Sequence, residues 1–393
     1  MKKVFLFSLF LVLGLVLSQC LPVWLGEAFL TAEKVAKTLM FVCLAFIMIN
    51  VGREFELDKT KWRSYAADYF IAMATAAVPW IMVAFYYMFL LPADLFGNWD
   101  AWKENLLLSR FAAPTSAGIL FTMLAAAGLR REWIYKKTQV LAIFDDLDTI
   151  LLMIPLQIFM IGFKWQLFAV VIVITFLLVI GWKKLGTIRL SQTWKSILFY
   201  AVCIVAVTES IYLLTKWMMG ADGAIHIEVL LPAFVLGMVM KTVHQHGNRD
   251  EKITGMISYL FMFLVGLSTP QFIGIDHGHR ITEAVGIIAA QPMPSWEVLV
   301  VHVIAVTLLS NLGKMFPLFF YRDRQLEERL ALSVGMFTRG EVGAGIIVIA
   351  MGYNLGGPAL IISVLSLVLN LLLTGGFVVI VKRLAQQAYG LKE

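Results

Sequence analysis

Apolar residues in this chain gather in runs of roughly 20, the length an α-helix needs to cross a hydrocarbon layer of about 30 Å. Short clusters of charged, glycine and proline residues separate the runs. They predict spans over 4–23, 36–51, 65–91, 105–128, 138–161, 165–182, 196–215, 226–240, 253–274, 296–320, 329–352 and 357–381, about twelve helices in an all-α polytopic membrane protein. Two of these spans are interrupted. The fourth carries Pro114, Thr115, Ser116 and Gly118 at its middle, and the eleventh places Gly335, Gly340, Gly343 and Gly345 around Arg339 and Glu341. Such sequences break or loosen a helix, and free N–H and C=O groups at that depth are tolerated only where protein or a water-filled cavity satisfies them. Glycine-mediated helix packing accounts for Gly343 and Gly345 but not for the two charges. One interruption in each half of the chain fits inverted repeats that cross at a midplane binding site.

Composition narrows the class. The 393 residues are 60% hydrophobic and 15% charged, with a mean hydropathy of +0.83, whereas soluble domains run near 45–50% apolar and about 25% charged. Nucleic-acid binding, secreted disulfide scaffolds and cytosolic enzymes are thereby excluded. The net charge of +6 reads as topology. With Lys2 and Lys3 in the cytoplasm and an even number of spans, both termini lie inside. The inner connections then hold 23 of the 32 Lys and Arg, among them Arg53, Arg63, Arg130, Arg131, Lys136, Lys137, Lys183, Lys184, Arg322, Arg324 and Lys382. The outer ones hold six: Lys34, Lys37, Lys103, Lys164, Lys216 and Arg280. This is the positive-inside distribution. The remaining three, Arg110, Lys314 and Arg339, fall inside spans.

Lesser features add little. Lys2-Lys3 before an apolar run, with Leu17-Ser18-Gln19-Cys20, is faintly like a lipoprotein cleavage box, but Gln19 is bulky where a small residue is wanted, so the first span is expected to stay. Cys20, Cys43 and Cys203 have neither disulfide nor metal spacing. The longest connection, about 275–295, is too short for a regulatory domain, and His277-Gly278-His279 and His244-Gln245-His246 read as solvated loop residues.

Chemistry concentrates in the few ionisable residues inside spans, each of which costs roughly 2.5–3.5 kcal/mol at the bilayer centre. The fifth span reads Ala142-Ile143-Phe144-Asp145-Asp146-Leu147-Asp148. Its three carboxylates, costing roughly 7–10 kcal/mol together in lipid, must face protein or water. At 100° per residue Asp145 and Asp148 share a face while Asp146 points elsewhere. Carboxylates are hard oxygen ligands for small cations, and a carboxyl group withdrawn from water also holds a proton more readily. One group that takes either a proton or a cation is the minimum for exchange; an ion-pair network that only locks helices together is the bland reading. Lys314, in Asn311-Leu312-Gly313-Lys314, sits too deep to reach an interface and calls for an intramembrane partner. Asp68 and Glu209 stand as isolated cases.

Taken together these residues resemble the cation:proton antiporter superfamily, and more closely its bacterial sodium/proton antiporters. Asp145-Asp146 look like the paired aspartates of that family's fifth helix, Gly313-Lys314 like its lysine on the tenth, and Arg339-Gly340-Glu341-Val342 like the motif at its broken eleventh. Phe261 to Ser268 is similar to the stretch before the lysine helix. The resemblance implies a core built within 65–161 and 296–381, with two crossed, broken helices, and remaining helices that form a panel or dimerisation part, hence a homodimer. It implies Asp146 as the principal Na⁺ and proton site, Asp145 as the partner of Lys314, Arg339 and Glu341 as coupled charges, and Thr115, Ser116 and Asp148 as ancillary groups. The setting would be a bacterial inner membrane; partners are a monovalent cation and the proton, with no cofactor. Two departures stand out: Asp148 where the family usually has a small residue, and Ala112-Ala113 where many members carry Thr-Asp.

Rival readings are fewer. K⁺ in place of Na⁺ is the nearest. A membrane-embedded Mg²⁺-dependent transferase would need a wet surface site for its acidic cluster, yet this one lies several residues into an apolar span. In a channel, a lysine paired to the acidic site would suit conduction less well than exchange.

Overall fold

The computed structural model describes residues 2–26, 28–54, 62–161, 166–184, 186–219, 229–240, 248–268, 286–288, 290–353 and 355–390. Both histidine pairs, His244/His246 and His277/His279, lie outside the described residues. Among the described residues the chain is helical without strands, and a single pairing of Ile188 with Met240 is an isolated bridge. The helices are α1 (Lys2–Leu25), α2 (Ala28–Glu54), α3 (Trp62–Leu90), α4 (Trp99–Ser109), α5 (Ala117–Ala126), α6 (Trp133–Ile161), α7 (Gln166–Lys183), α8 (Trp194–Met219), α9 (Leu230–Val239), α10 (Asn248–Leu267), α11 (Trp296–Gly313), α12 (Leu326–Gly335), α13 (Glu341–Gly352) and α14 (Gly357–Tyr389). Each falls on one of the apolar runs, and the pairs α4/α5 and α12/α13 divide the two interrupted ones. Six stretches among the described residues are long and apolar enough by themselves to cross a membrane: Lys34–Arg53, Arg63–Leu90, Trp99–Ala126, Trp194–Met218, Trp296–Phe319 and Gly357–Tyr389.

The chain forms two compact units. One comprises Leu25–Lys59 and Ile161–Leu264. In it α2 crosses α9 with glycine against glycine: a Cβ on Gly52 would collide with the Phe234 carbonyl, and one on Gly237 with that of Ile49. Small residues at a crossing let two backbones approach where lipid supplies no hydrophobic drive.

The other unit comprises Met1–Trp24, Thr60–Met160 and Val265–Glu393. Here α3 packs on α4 and α11, and α14 on α11 and α12. Helix α11 shows how the unit is oriented by its residues. Val301, Ile304, Leu308 and Leu312 form an exposed apolar stripe suited to lipid, whereas Val303, Thr307, Ser310 and Lys314 are buried, so its polar groups face inward. Tight packing of α11 on α3 depends on Gly313, whose missing Cβ would lie 2.6 Å from the Cα of Pro79. Local chemistry sets the helix ends: the Asn98 side chain accepts the Asp100 amide at the start of α4, and Gln325 with Glu328 forms a capping box at the start of α12. In α4 the buried Glu104 accepts the amides of Ile287 and Ile288 at 3.2 and 3.0 Å, which anchors that connection.

Candidate ion-exchange site

Two helix breaks meet in the second of these units. After Ser109 the chain makes one tight turn over Arg110–Ala112 and runs irregularly to Ser116, where α5 begins. Pro114 brings no amide donor, and Ser116 caps α5 by accepting the Ile119 amide. The other break runs from Met336 to Gly340. The two are tied by the Ser116 amide donating to the Thr338 carbonyl at 3.0 Å and by the Thr115 hydroxyl donating to the Met336 carbonyl at 3.1 Å. Their contact is close because Gly340 has no side chain: a Cβ there would stand 2.7 Å from both Ser116 Oγ and Ile119 Cδ1. Backbone groups freed by one break are thus satisfied by the other, as depth in a membrane demands.

Into this crossing α6 delivers Asp145. Its Oδ2 accepts the Thr115 amide at 2.7 Å and the Lys314 ammonium at 2.9 Å, and neither charged side chain has any exposure. The amide lies just ahead of α5, so the carboxylate faces the positive end of a helix dipole. Lys314 arrives there because α11 ends at Gly313 and turns. Thr149 closes on the same segment, its hydroxyl donating to the Asp145 carbonyl at 2.9 Å. Asp146, one residue along α6, is turned about 100° from Asp145; it is also buried, and its charge acts on Lys314. Arg339, 1% exposed, donates to the Met336 carbonyl at 3.1 Å and to that of Ser310 at 3.4 Å. It therefore sits against the negative C-terminal end of α12 while its charge acts on Asp145. Among the described residues no three His, Cys, Asp or Glu side chains converge as a metal cage.

Carboxylates on an unbroken helix, a buried lysine at the end of α11, and two discontinuous helices that cross beside them make up a candidate site whose groups are of the kind that takes either a small cation or a proton. The family model for the sodium/hydrogen exchanger transmembrane region matches residues 2–384. The chain belongs to the sodium/hydrogen exchanger family. No curated protein matches it individually. As a member of that family the exchanger is a multi-pass membrane transporter that trades a monovalent cation for protons, and it is not an enzyme.

The structure brings Asp145, Asp146, Lys314, Arg339, Thr115 and Ser116 of this exchanger together. The backbone of Glu341 opens α13, while its side chain lies outside the described residues. Asp148 is buried on the Asp145 face of α6, and Tyr69 of α3 donates its hydroxyl to the Asp148 carboxylate. One expectation is corrected. Asp68 is not isolated: its carboxylate pairs with Lys137 at 2.8 and 3.0 Å and accepts the Tyr321 hydroxyl at 2.7 Å. Lys137 in turn lies 4.9 Å from the centroid of the Tyr321 ring. Tyr321 follows the lysine helix and holds a φ of 51°, a backbone conformation that a bulky residue adopts under constraint. Burial beside Asp68 pushes its hydroxyl well above the ordinary tyrosine range. Sequence reasoning also passed over Tyr69 and Trp80. The available signal was spacing: Lys137, Phe144 and Asp148 lie on one stripe of α6, at intervals of seven and four residues, and α3 packs along it through Asp68 and Tyr69.

Proposed function

We propose that this exchanger moves Na⁺, or Li⁺, against H⁺ by alternating access, with Asp146 as the seat of competition between cation and proton. The observation that carries the reading is the Lys314–Asp145 ion pair, fully buried at 2.9 Å beside Asp146. A proton on Asp146 and a cation at Asp146 exclude one another, which couples the two fluxes. Asp145 holds Lys314 as a charge that can be released: a cation arriving beside the pair disfavours the ammonium, and loss of its proton would move a second H⁺ per cation and make transport electrogenic. The amide of Thr115 and the carbonyls of the two breaks orient these groups without being consumed. The unit that holds the site would expose it to each membrane face in turn, as one body.

Distribution of the basic residues supports both termini in the cytoplasm, and the likeness to bacterial sodium/proton antiporters supports a bacterial inner membrane and a role in pH homeostasis. A homodimer is proposed on the family likeness. The test is the change in internal pH of pre-acidified proteoliposomes or everted vesicles, read by a pH-sensitive dye, with Na⁺, Li⁺ and K⁺ added separately. Na⁺ and Li⁺ should each drive proton flux, and Asp146→Asn should abolish it. Flux with K⁺ alone would replace the cation assignment; flux retained in Asp146→Asn would remove the site assignment.

A further inference from the structure

Arg110 and Asp148 have no role in the exchange cycle described so far, yet both are charged and buried within spans, where such groups are expensive. Arg110 is 0% and Asp148 2% exposed. Arg110 opens the turn after α4, and its guanidinium lies 4.5 Å from the centroid of the Trp80 ring. Trp80 is held in turn by donating its indole N–H to the Leu106 carbonyl at 2.8 Å. A terminal nitrogen of Arg110 donates to the Asp148 main-chain carbonyl at 3.1 Å, while its Nε and other terminal nitrogen have no hydrogen-bond partner among the described residues. One oxygen of the Asp148 carboxylate, Oδ2, likewise has none. A buried guanidinium so sparsely bonded is stable only beside compensating charge. The charges that act on it are those of Asp145 and Asp148.

Asp145 is already committed to Lys314 at contact distance. Asp145 acts on Arg110 more strongly than Asp148 does but is shared with Lys314, so Asp148 is the further counter-charge near Arg110, reached at contact distance only through its main-chain oxygen. Its own surroundings are Tyr69 from α3, Asp145 on its own helix, Arg110 and Lys314. Counted over the described side chains, the buried network holds three acids (Asp145, Asp146, Asp148) and three bases (Arg110, Lys314, Arg339). We propose that Arg110 and Asp148 form a fixed charge pair that sets the exchanger's cation affinity. Asp148 cancels a buried positive charge that would otherwise oppose any cation arriving at Asp146. This rests on Asp146 being the cation seat, and it makes Asp148 a residue that acts through Arg110 and not a ligand.

The experiment is a double-mutant cycle in proteoliposomes: wild type, Asp148→Asn, Arg110→Gln and both together, with initial exchange rates measured against cation concentration. One uncompensated charge inside the core raises the apparent KM for the cation on the order of tenfold in Asp148→Asn, with the maximal rate kept within a few-fold. The double variant returns to within about threefold of wild type, because the two changes cancel in charge. Asp148→Glu, which keeps the charge, stays near wild type. An unchanged KM in Asp148→Asn, or a double variant no better than the single one, overturns the proposal. Should Asp148→Asn not accumulate as folded protein, the thermal midpoint in detergent carries the same test: recovery in the double variant supports the pair, and a double variant as unstable as Asp148→Asn rejects it. A wild type with no cation-driven proton flux would instead reject the Na⁺/H⁺ reading, and the midpoint cycle would still decide the pairing.

Discussion

A single oxygen of Asp145 receives both the Lys314 ammonium, at 2.9 Å, and the Thr115 amide, at 2.7 Å. Side chain and backbone from two different elements thus converge on one acceptor, and neither ion of the pair reaches solvent. Removing one member of a buried pair strands the other. Lys314→Ala is expected to destabilise the folded protein by about 3–5 kcal/mol, and the Asp145→Asn, Lys314→Gln double variant to recover most of that loss. Thermal unfolding in detergent measures both. In vesicles, Lys314→Ala should retain slowed exchange that no longer responds to an imposed membrane potential; an unaltered response would remove the lysine as a proton carrier.

The Thr115 hydroxyl is a milder case. Thr115→Val keeps the shape and the amide but loses the bond to the Met336 carbonyl. That carbonyl still accepts from Arg339 at 3.1 Å, so no buried acceptor is orphaned. The cost should be about 0.5–1.5 kcal/mol, seen as a small drop in thermal midpoint. A loss several times larger would mean that the hydroxyl does more than join the breaks.

Glycine substitutions separate packing from propensity. In Gly313→Ala the new methyl group meets Pro79 at 2.6 to 2.8 Å, mostly backbone that cannot turn aside. Overpacking of this kind costs about 1–3 kcal/mol, and because Lys314 is the next residue, exchange should slow as well. Gly345→Ala, within α13, meets nothing within 4 Å. It is expected to be neutral or to stabilise by up to about 1 kcal/mol.

Tyr321 offers a prediction in pH. Its hydroxyl is raised above the ordinary tyrosine value by burial and by Asp68, so the folded state keeps a proton that the unfolded chain gives up near pH ~10. The resulting stabilisation is full below that pH and declines as pH climbs beyond it. Tyr321→Phe should therefore lose about 1.5–3 kcal/mol, the worth of a hydrogen bond to a charged group, from neutral pH up to about pH 10. Above it, the gap between variant and wild type should narrow. A gap that instead opens with alkali would contradict the bond to Asp68.

Periodicity made the helices legible, and the places where chemistry interrupts it made the breaks legible: Pro114 and the glycines from Gly335 to Gly345 lie where α4 gives way to α5 and α12 to α13. The three spanning carboxylates were legible because each is costly in lipid. What the chain did not disclose was partnership. Asp68 and Lys137 stand 69 residues apart, and Tyr321 is 253 from Asp68; they are joined where α3, α6 and the stretch after α11 meet. Arg110 was equally opaque, since its contacts are a main-chain oxygen and a ring face, and neither has a sequence signature.

Of the two ties between the breaks, one is main chain alone, the Ser116 amide on the Thr338 carbonyl. A tie of that kind places no demand on side-chain identity beyond smallness. Residues in the broken segments are therefore free to drift in polarity while the crossing survives. This gives a physical reason why two buried, apolar residues, Ala112 and Ala113, can stand beside the crossing. The geometry of the crossing is thus set by the backbone, and the chemical lining of its centre can be varied independently of it.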